Sequence, residues 1–302
     1  MMHLSLSTSW NSYRHDNGRD LINEIKALGL DTVELNFSLS EKVVNDVLEI
    51  YKNGGIKVSS LHNMCPLPQE IKPANASPDH YSLASPDDEE RKIAVSIAKN
   101  TIDYANKFSA KAVVIHAGRV EMREGMRELS ELMPAREHFE SFRNELIRER
   151  TSKRETYIDS VTKSLADLIP YAKDKCVMLG LENRYYYREI PLLDEFEMLF
   201  KIFPPGSLYY WHDTGHAEVF DRLGFYRHTA LLEKFSSRLL GLHMHDIIGT
   251  VDDHKAPGFG TFDFNIIKPY LTKDIIKVLE VHKPVTAGEI RQGIEYLDKI
   301  LG

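Results

Sequence analysis

The chain has 302 residues, 42% of them hydrophobic and 27% charged, an ordinary globular balance that excludes a low-complexity or fibrous protein. A formal net charge of −7 argues against a nucleic-acid partner, because phosphate binding normally shows as a basic surface. No apolar run approaches the ~20 residues of a membrane helix. The opening "MMHLSLSTSW" lacks the cationic segment and long apolar core of a signal peptide. Cys65 and Cys176 stand far apart with no CxxC spacing, so a reducing cytoplasm without structural disulfides is expected.

Short β-branched or aromatic runs alternate with helical patterns along the chain. "LSLST" (4–8) precedes the amphipathic "GRDLINEIKALG", and "TVELNF" (32–37) precedes "EKVVNDVLEIYKNGG". "KVSSLHN" (57–63) leads into a segment, 64–86, stiffened by Pro66, Pro68, Pro73, Pro78 and Pro86. That segment ends in "SPDDEERKIAV", where Ser85 can cap a helix whose first position is Pro86. "AVVIHAG" (112–118) is followed by residues 119–175, which hold two or three helices and a charged run, "FRNELIRERTSKRE", expected to be a solvated face. Four more strands follow: "VMLGLEN" (177–183), "SLYYWHD" (207–213), "LLGLHMHD" (239–246) and "IIKVLEV" (275–281). "PLLDEFEMLFKIF" and the final "TAGEIRQGIEYLDKIL" read as helices. Eight strands each followed by a helix predict an α/β fold of the (β/α)8 barrel type, one domain over 1–302 with extended loops at 64–86 and 119–156. A doubly wound open sheet is the alternative, but no GxGxxG follows the first strand.

In such a barrel, function collects where strands end. Of 13 histidines, seven fall at or just beyond strand ends: His62, His116, His212, His216, His243, His245 and His254. Glu182, Asp213, Asp246 and Glu280 join them, and Asp252 and Asp253 follow in a loop. One such histidine is ordinarily a hydrogen-bonded core residue, but a ring of them at one rim needs another explanation. Two carboxylates ~4 Å apart repel by about 4 kcal/mol at an effective dielectric near 20, and neutral imidazoles supply no compensating charge. Divalent metals do, and a mixed His/Asp/Glu set suits Zn²⁺, Mn²⁺, Co²⁺ or Fe²⁺.

The segments "LHN" (61–63), "VIHAG" (114–118), "LEN" (181–183), "HDTGHA" (212–217), "HMHD" (243–246), "DDHKAPGFG" (252–260) and "LE" (279–280) resemble the xylose isomerase-like TIM-barrel superfamily over essentially the whole chain. That superfamily holds sugar and sugar-phosphate isomerases and epimerases together with endonuclease IV. The resemblance implies that Glu182, Asp213, His243 and Glu280 form one metal's shell, and that the two glutamates exchange protons with a substrate carbon. The endonuclease IV pattern adds His62, His116, His216, Asp252 and His254, which implies as many as three zinc ions. Asp252 is preferred to Asp253 on the D-x-H spacing. Other features pull towards sugar chemistry. "HNMCPLP" offers Met64 and Leu67 but no aromatic wedge for a DNA stack, and "RYYYREIP" replaces the nuclease's small, Gly-rich continuation after "LEN".

Structural alternatives exist for each group: barrel-layer ion pairs for the core acids, and ligand-orienting contacts for the outer histidines. His212 should point away from the site by strand alternation, whereas His245 shares a face with His243 and is a substrate-binding candidate. Arg119 and Arg184 suit a substrate phosphate or carboxylate, and Trp10 suits a pocket wall. The expected activity is a Zn- or Mn-dependent isomerase or epimerase of a small sugar or sugar phosphate, with Glu182 and Glu280 as the acid–base pair around an enediolate. The alternatives are a multi-zinc phosphoesterase like endonuclease IV and a non-catalytic metal- or sugar-binding barrel. Neither membrane nor nucleic acid is an expected partner, and a homo-oligomer is left open.

Overall fold

The apolar runs form eight parallel strands: β1 (Ser5–Ser7), β2 (Thr32–Leu35), β3 (Lys57–His62), β4 (Ala112–Ile115), β5 (Met178–Glu182), β6 (Tyr209–Asp213), β7 (Leu239–Met244) and β8 (Ile276–Leu279). They pair in sequence order, and β1 also pairs with β8, so the sheet closes into a barrel. This is the expected (β/α)8 architecture, seen in a computed structural model that describes residues 3–302. No helix among these residues is long and apolar enough to cross a membrane.

Strand alternation decides what fills the barrel and what reaches its mouth. Val114, Trp211 and Val278 pack in one interior cluster. Two residues further along the same strand lines stand His116, Asp213 and Glu280. Trp211 is fully buried, and two glycines make room for its ring. A Cβ on Gly180 would meet Trp211 Cε3 at 2.9 Å, and one on Gly241 would meet Cζ3 at 2.4 Å. Two residues beyond those glycines lie Glu182 and His243. The indole is therefore the floor beneath the polar mouth. His212 faces the other way, as alternation requires, and contacts the Tyr210 hydroxyl at 2.6 Å and His228 at 3.1 Å.

The outer layer consists of α1 (Gly18–Lys26), α2 (Glu41–Lys52), α3 (Asp88–Lys107), α4 (Met126–Leu132), α5 (Arg136–Asp174), α6 (Leu193–Ile202), α7 (Thr214–Arg222), α8 (Thr229–Phe235) and α9 (Ala287–Leu301). Three local expectations need correction. Between β7 and β8 only two short 3-10 turns occur, Phe264–Ile266 and Lys268–Tyr270, so that crossover has no α-helix. Residues 119–175 hold two helices, within the expected two or three, and α5 runs unbroken for 39 residues from Arg136. Within its charged run Arg150 is not solvated: it is 1% exposed, grips Glu195 of α6 with both terminal nitrogens and donates to the Glu189 carbonyl at 2.8 Å. Finally, α3 is capped by Asp87, which accepts from the Glu89 and Glu90 amides, while Ser85 accepts from the Asp87 amide and donates to Glu90.

Asp246, just past β7, folds the long loop that follows. Its Oδ1 accepts from the Ile247 and Phe262 amides and its Oδ2 from those of Gly258 and Gly260, each at 2.9 Å. One buried carboxylate thus closes residues 247–262 into a fixed shape and satisfies four backbone donors. Its oxygens are committed to the loop.

The floor generates a stability prediction. Gly241→Ala should destabilise by about 1–3 kcal/mol, the usual cost of an added methyl in a close-packed interior, read as a lower urea midpoint. Combining it with Trp211→Phe should cost less than the sum of the two single changes, because the smaller ring vacates the clash. Additive losses would mean that Trp211 does not set the constraint at Gly241.

Candidate metal centre

Strand ends and loops bring ten buried or nearly buried side chains into three groups of closely spaced donor atoms. Glu182, Asp213, His243 and Glu280 form the first, His62, His116 and Glu182 the second, and His216, His245, Asp252 and His254 the third. Within each group the donor atoms lie within 4.8 Å of one another.

In the core group His243 Nδ1 lies 2.8 Å from Glu182, 3.1 Å from Glu280 and 3.9 Å from Asp213. Donors bonded to one tetrahedral ion at ~2.0–2.2 Å stand about 3.4 Å apart, so these spacings fit a shared ion. The other nitrogen of His243, Nε2, faces Glu34 at 3.0 Å, and Ser60 donates to the same carboxylate at 2.8 Å. Glu34 therefore holds the ring with Nδ1 towards the group, the way a carboxylate behind a metal-bound histidine works. Burial pushes the Glu182 carboxyl up, but the charge of His243 and hydrogen bonds from His116, His243 and His62 outweigh it and hold the group well below the usual range.

Asn183 explains the third letter of "LEN". Its side chain accepts from the Asp213 amide at 2.8 Å and donates to the Asp213 carbonyl at 3.0 Å, locking the ends of β5 and β6 together. Asp213 in turn caps α7 by accepting from the His216 amide at 2.8 Å.

Three of the histidines share one device. Nδ1 of His62 donates to the Asn63 carbonyl at 2.7 Å, that of His216 to the Asn183 carbonyl at 2.9 Å, and that of His254 to the Glu280 carbonyl at 3.2 Å. In each case Nε2 is left to face the donor group. His254 takes this position with a left-handed backbone, φ 42°, which histidine adopts more readily than most residues. Asp252 Oδ2 lies 3.1 Å from Nε2 of both His216 and His254. Its Oδ1 is buried with no hydrogen-bond partner and 3.6 Å from His245 Nε2. An orphaned carboxylate oxygen among three imidazoles is an acceptor that a cation would satisfy, and the donor chemistry fits Zn²⁺ or a similar ion. Asp253 points elsewhere, towards Lys255 at 3.3 Å.

A cavity of about 390 Å³ opens over these groups, walled by Phe37, Pro78, Tyr185 and Tyr186, with Glu182, Glu280, His116 and Arg184 at its base. The structure brings all nine candidate ligands together. It corrects three substrate-binding candidates. Trp10 is 1% exposed and outside the cavity: a 3-10 turn right after the three-residue β1 folds its indole inward, where it donates to the Val285 carbonyl at 2.8 Å. Arg119 pairs backbone-to-backbone with Glu189, which turns its guanidinium onto the Asp79 carbonyl and Glu121 rather than into the cavity. His245 is fully buried against Asp213 at 3.0 Å and belongs to the third donor group. Arg184 lines the cavity as expected.

Sequence reasoning missed Glu34, Asp79 and His282. Glu34 carried a signal, a lone acid inside the apolar strand "TVEL". Asp79, which accepts from His116 Nδ1 at 3.1 Å, and His282, stacked on His254 with centroids 3.8 Å apart, carried none.

Without an ion, Asp213 and Asp252 outweigh the burial penalty on His216 and raise it to about 10, and Asp252 does the same for His254, raising it to about 9. Both Nε2 atoms then carry protons at neutral pH, and proton and metal compete for them. Zinc uptake by the third group at pH 7 should release about two protons, and apparent affinity should climb as pH rises towards 9 to 10. Calorimetry in buffers of different ionisation enthalpy reads the release directly. Uptake without proton release would remove His216 and His254 from the ligand set.

The family described as xylose isomerase-like TIM barrel matches residues 22–300. Over 238 residues the chain is 21% identical to the uncharacterized protein y4fM of Sinorhizobium fredii (strain NBRC 101917 / NGR234), covering 77% of this chain and 68% of that one. A D-tagatose 3-epimerase-like protein superimposes with a TM-score of 0.71 at 18% identity, over 99% of this chain and 97% of that one. An L-ribulose 3-epimerase does so with a TM-score of 0.69 at 13% identity, over 100% of this chain and 95% of the other. The barrel order, the donor groups at its mouth and the matched span agree, and the chain belongs to the xylose isomerase-like TIM-barrel family.

Proposed function

We propose that the chain is a divalent-metal-dependent isomerase or epimerase of a small sugar or sugar phosphate. The observation that carries this reading is the placement of Glu182 and Glu280. Both carboxylates line the cavity, and both also contact His243 Nδ1 in the core group. A divalent ion held by Glu182, Asp213, His243 and Glu280 would supply Lewis-acid stabilisation of an oxyanion on the substrate. The two glutamates can then act as a pair, one taking a proton from carbon and the other returning one, with an enediolate between the steps. Phe37, Tyr185 and Tyr186 give the apolar walls that exclude water, and Arg184 gives the cavity a fixed positive charge. The cavity is in the range of small-ligand sites, and the fold is shared with sugar epimerases.

A second reading rests on a separate observation, the sharing of Glu182 between two donor groups beside a third. Such clustering suits hydrolysis of a phosphoester by several ions. The lining disfavours a polyanion: Asp79, Glu182, Glu189, Asp252 and Glu280 face the cavity against Arg184 as its one Arg or Lys.

The two chemistries separate in deuterated water. An isomerase or epimerase should place deuterium on carbon in a ketose or aldose from a panel including phosphorylated sugars. Glu182→Gln and Glu280→Gln should each lower that exchange by ~10²-fold or more, the usual worth of a general acid or base. Cleavage of abasic duplex DNA, lost in Glu182→Gln and without labelling of any sugar, would reverse the assignment. Inactivity in both assays would favour a binding barrel.

A further inference from the structure

The His62–His116–Glu182 group differs from the other two in one respect: a cation of the chain itself already sits in it. Arg184 Nη1 is in direct contact with His116 Nε2 and lies 3.3 Å from Glu182 Oε2. These are two of the three atoms on which an ion in this corner would have to close. The third, His62 Nε2, is 3.6 Å from the same Glu182 oxygen.

The arginine is clamped in place. Its Nη2 donates to Glu189 Oε1 at 3.1 Å and lies 3.5 Å from Asp79 Oδ2. Glu189 is itself 4% exposed, and its other oxygen accepts from the Tyr186 amide at 2.8 Å. The segment carrying Glu189 is zipped to the end of β4, with the Val120 amide donating to the Arg188 carbonyl at 2.8 Å and the Ile190 amide to the Gly118 carbonyl at 2.9 Å. Asp79 is tied from the other side by His116 Nδ1. Two buried or nearly buried carboxylates thus fix the guanidinium, whose side chain is 10% exposed. In the other two groups the ion pairs of Asp213, Glu280 and Asp252 involve histidines alone.

We infer that Arg184 serves as the resident cation of the His62–His116–Glu182 corner, so that divalent ions enter the other two groups and not this one. A small residue two positions after the strand-end glutamate would leave the corner open; the long, always charged arginine closes it. Glu182, Asp213, Glu280 and Asp252 are the carboxylates that divalent ions would meet in the two remaining groups, while the guanidinium is already paired with Asp79 and Glu189. The guanidinium then stays beside the ions as a fixed hydrogen-bond donor at the base of the cavity, a partner for substrate oxygen that no chelator removes.

This inference rests on the metal-binding reading of the two remaining groups, and zinc content per chain tests both separately. The protein is stripped with chelator, saturated with Zn²⁺, freed of excess and analysed by plasma mass spectrometry. Arg184→Met should hold about one ion more than wild type, and His62→Ala in the same chain should remove that extra ion. His62→Ala alone should leave the wild-type content unchanged. The inference is overturned if His62→Ala in the wild-type background removes about one ion, a result that needs no folded Arg184 variant. It is equally overturned if Arg184→Met, folded by circular dichroism, gains none. No zinc in wild type or in any variant would instead overturn the metal reading of the whole mouth.

Discussion

The carboxylate of Glu182 borders the cavity yet is almost wholly shielded from water, and the mouth of the barrel is organised around that fact. It is 1% exposed, and burial of a charge is costly unless something of opposite sign lies within a few ångströms. His243, His116, His62 and Arg184 all reach it. The barrel explains why it cannot retreat. Gly180, two residues earlier on β5, yields its space to the Trp211 ring, and the strand then carries Glu182 directly above that apolar floor. A charged group with a tryptophan below and an aromatic-walled cavity above finds its compensation sideways, from residues on neighbouring strands. The closed order of strands supplies them.

Those neighbours are oriented as firmly as Glu182 is buried. His62, His216 and His254 each spend Nδ1 on a carbonyl at or beside a strand end, and His243 spends Nε2 on Glu34. Backbone carbonyls for three rings and a carboxylate for the fourth thus decide which nitrogen faces the group, and little rotamer freedom is left to lose when an ion arrives. Asp246 extends the same logic to the loop: four amides converge on its carboxylate, and the loop so closed carries Asp252 and His254 to the rim.

Strand-end residues were legible in the sequence because alternation holds over the last residues of each strand, where the polar residue follows the barrel-filling one by two, although β3 and β7 each slip register by one residue further back. His116 after Val114, Asp213 after Trp211 and Glu280 after Val278 follow that rule. Asp252 was legible through its spacing to His254. What was not legible depends on distance along the chain. Asp79 meets His116 across 37 residues and through an irregular proline-rich loop whose path no local pattern encodes. Trp10 follows a strand of only three residues, after which a 3-10 turn redirects the side chain. Arg150 lies in a run of charges that reads as solvated, and only the packing of α5 against α6 shows that it is buried.

Asp213 shows how closely fold and site are bound together. Its Oδ1 accepts from the His216 amide at 2.8 Å, which ties that oxygen to the start of α7, while His245 Nε2 lies 3.0 Å from Oδ1 and 3.2 Å from Oδ2. Its Oδ2 is the one turned towards His243, at 3.9 Å. The helix cap therefore engages Oδ1 and leaves Oδ2, free of any backbone bond, between His243 and His245. Asn183 fixes the same residue through its backbone, from the strand that carries Glu182. The site is thus not a set of donors added to a finished barrel. The hydrogen bonds that end β5, end β6 and begin α7 are the ones that aim the core donors, and the geometry of the mouth is inherited from the way the strands terminate.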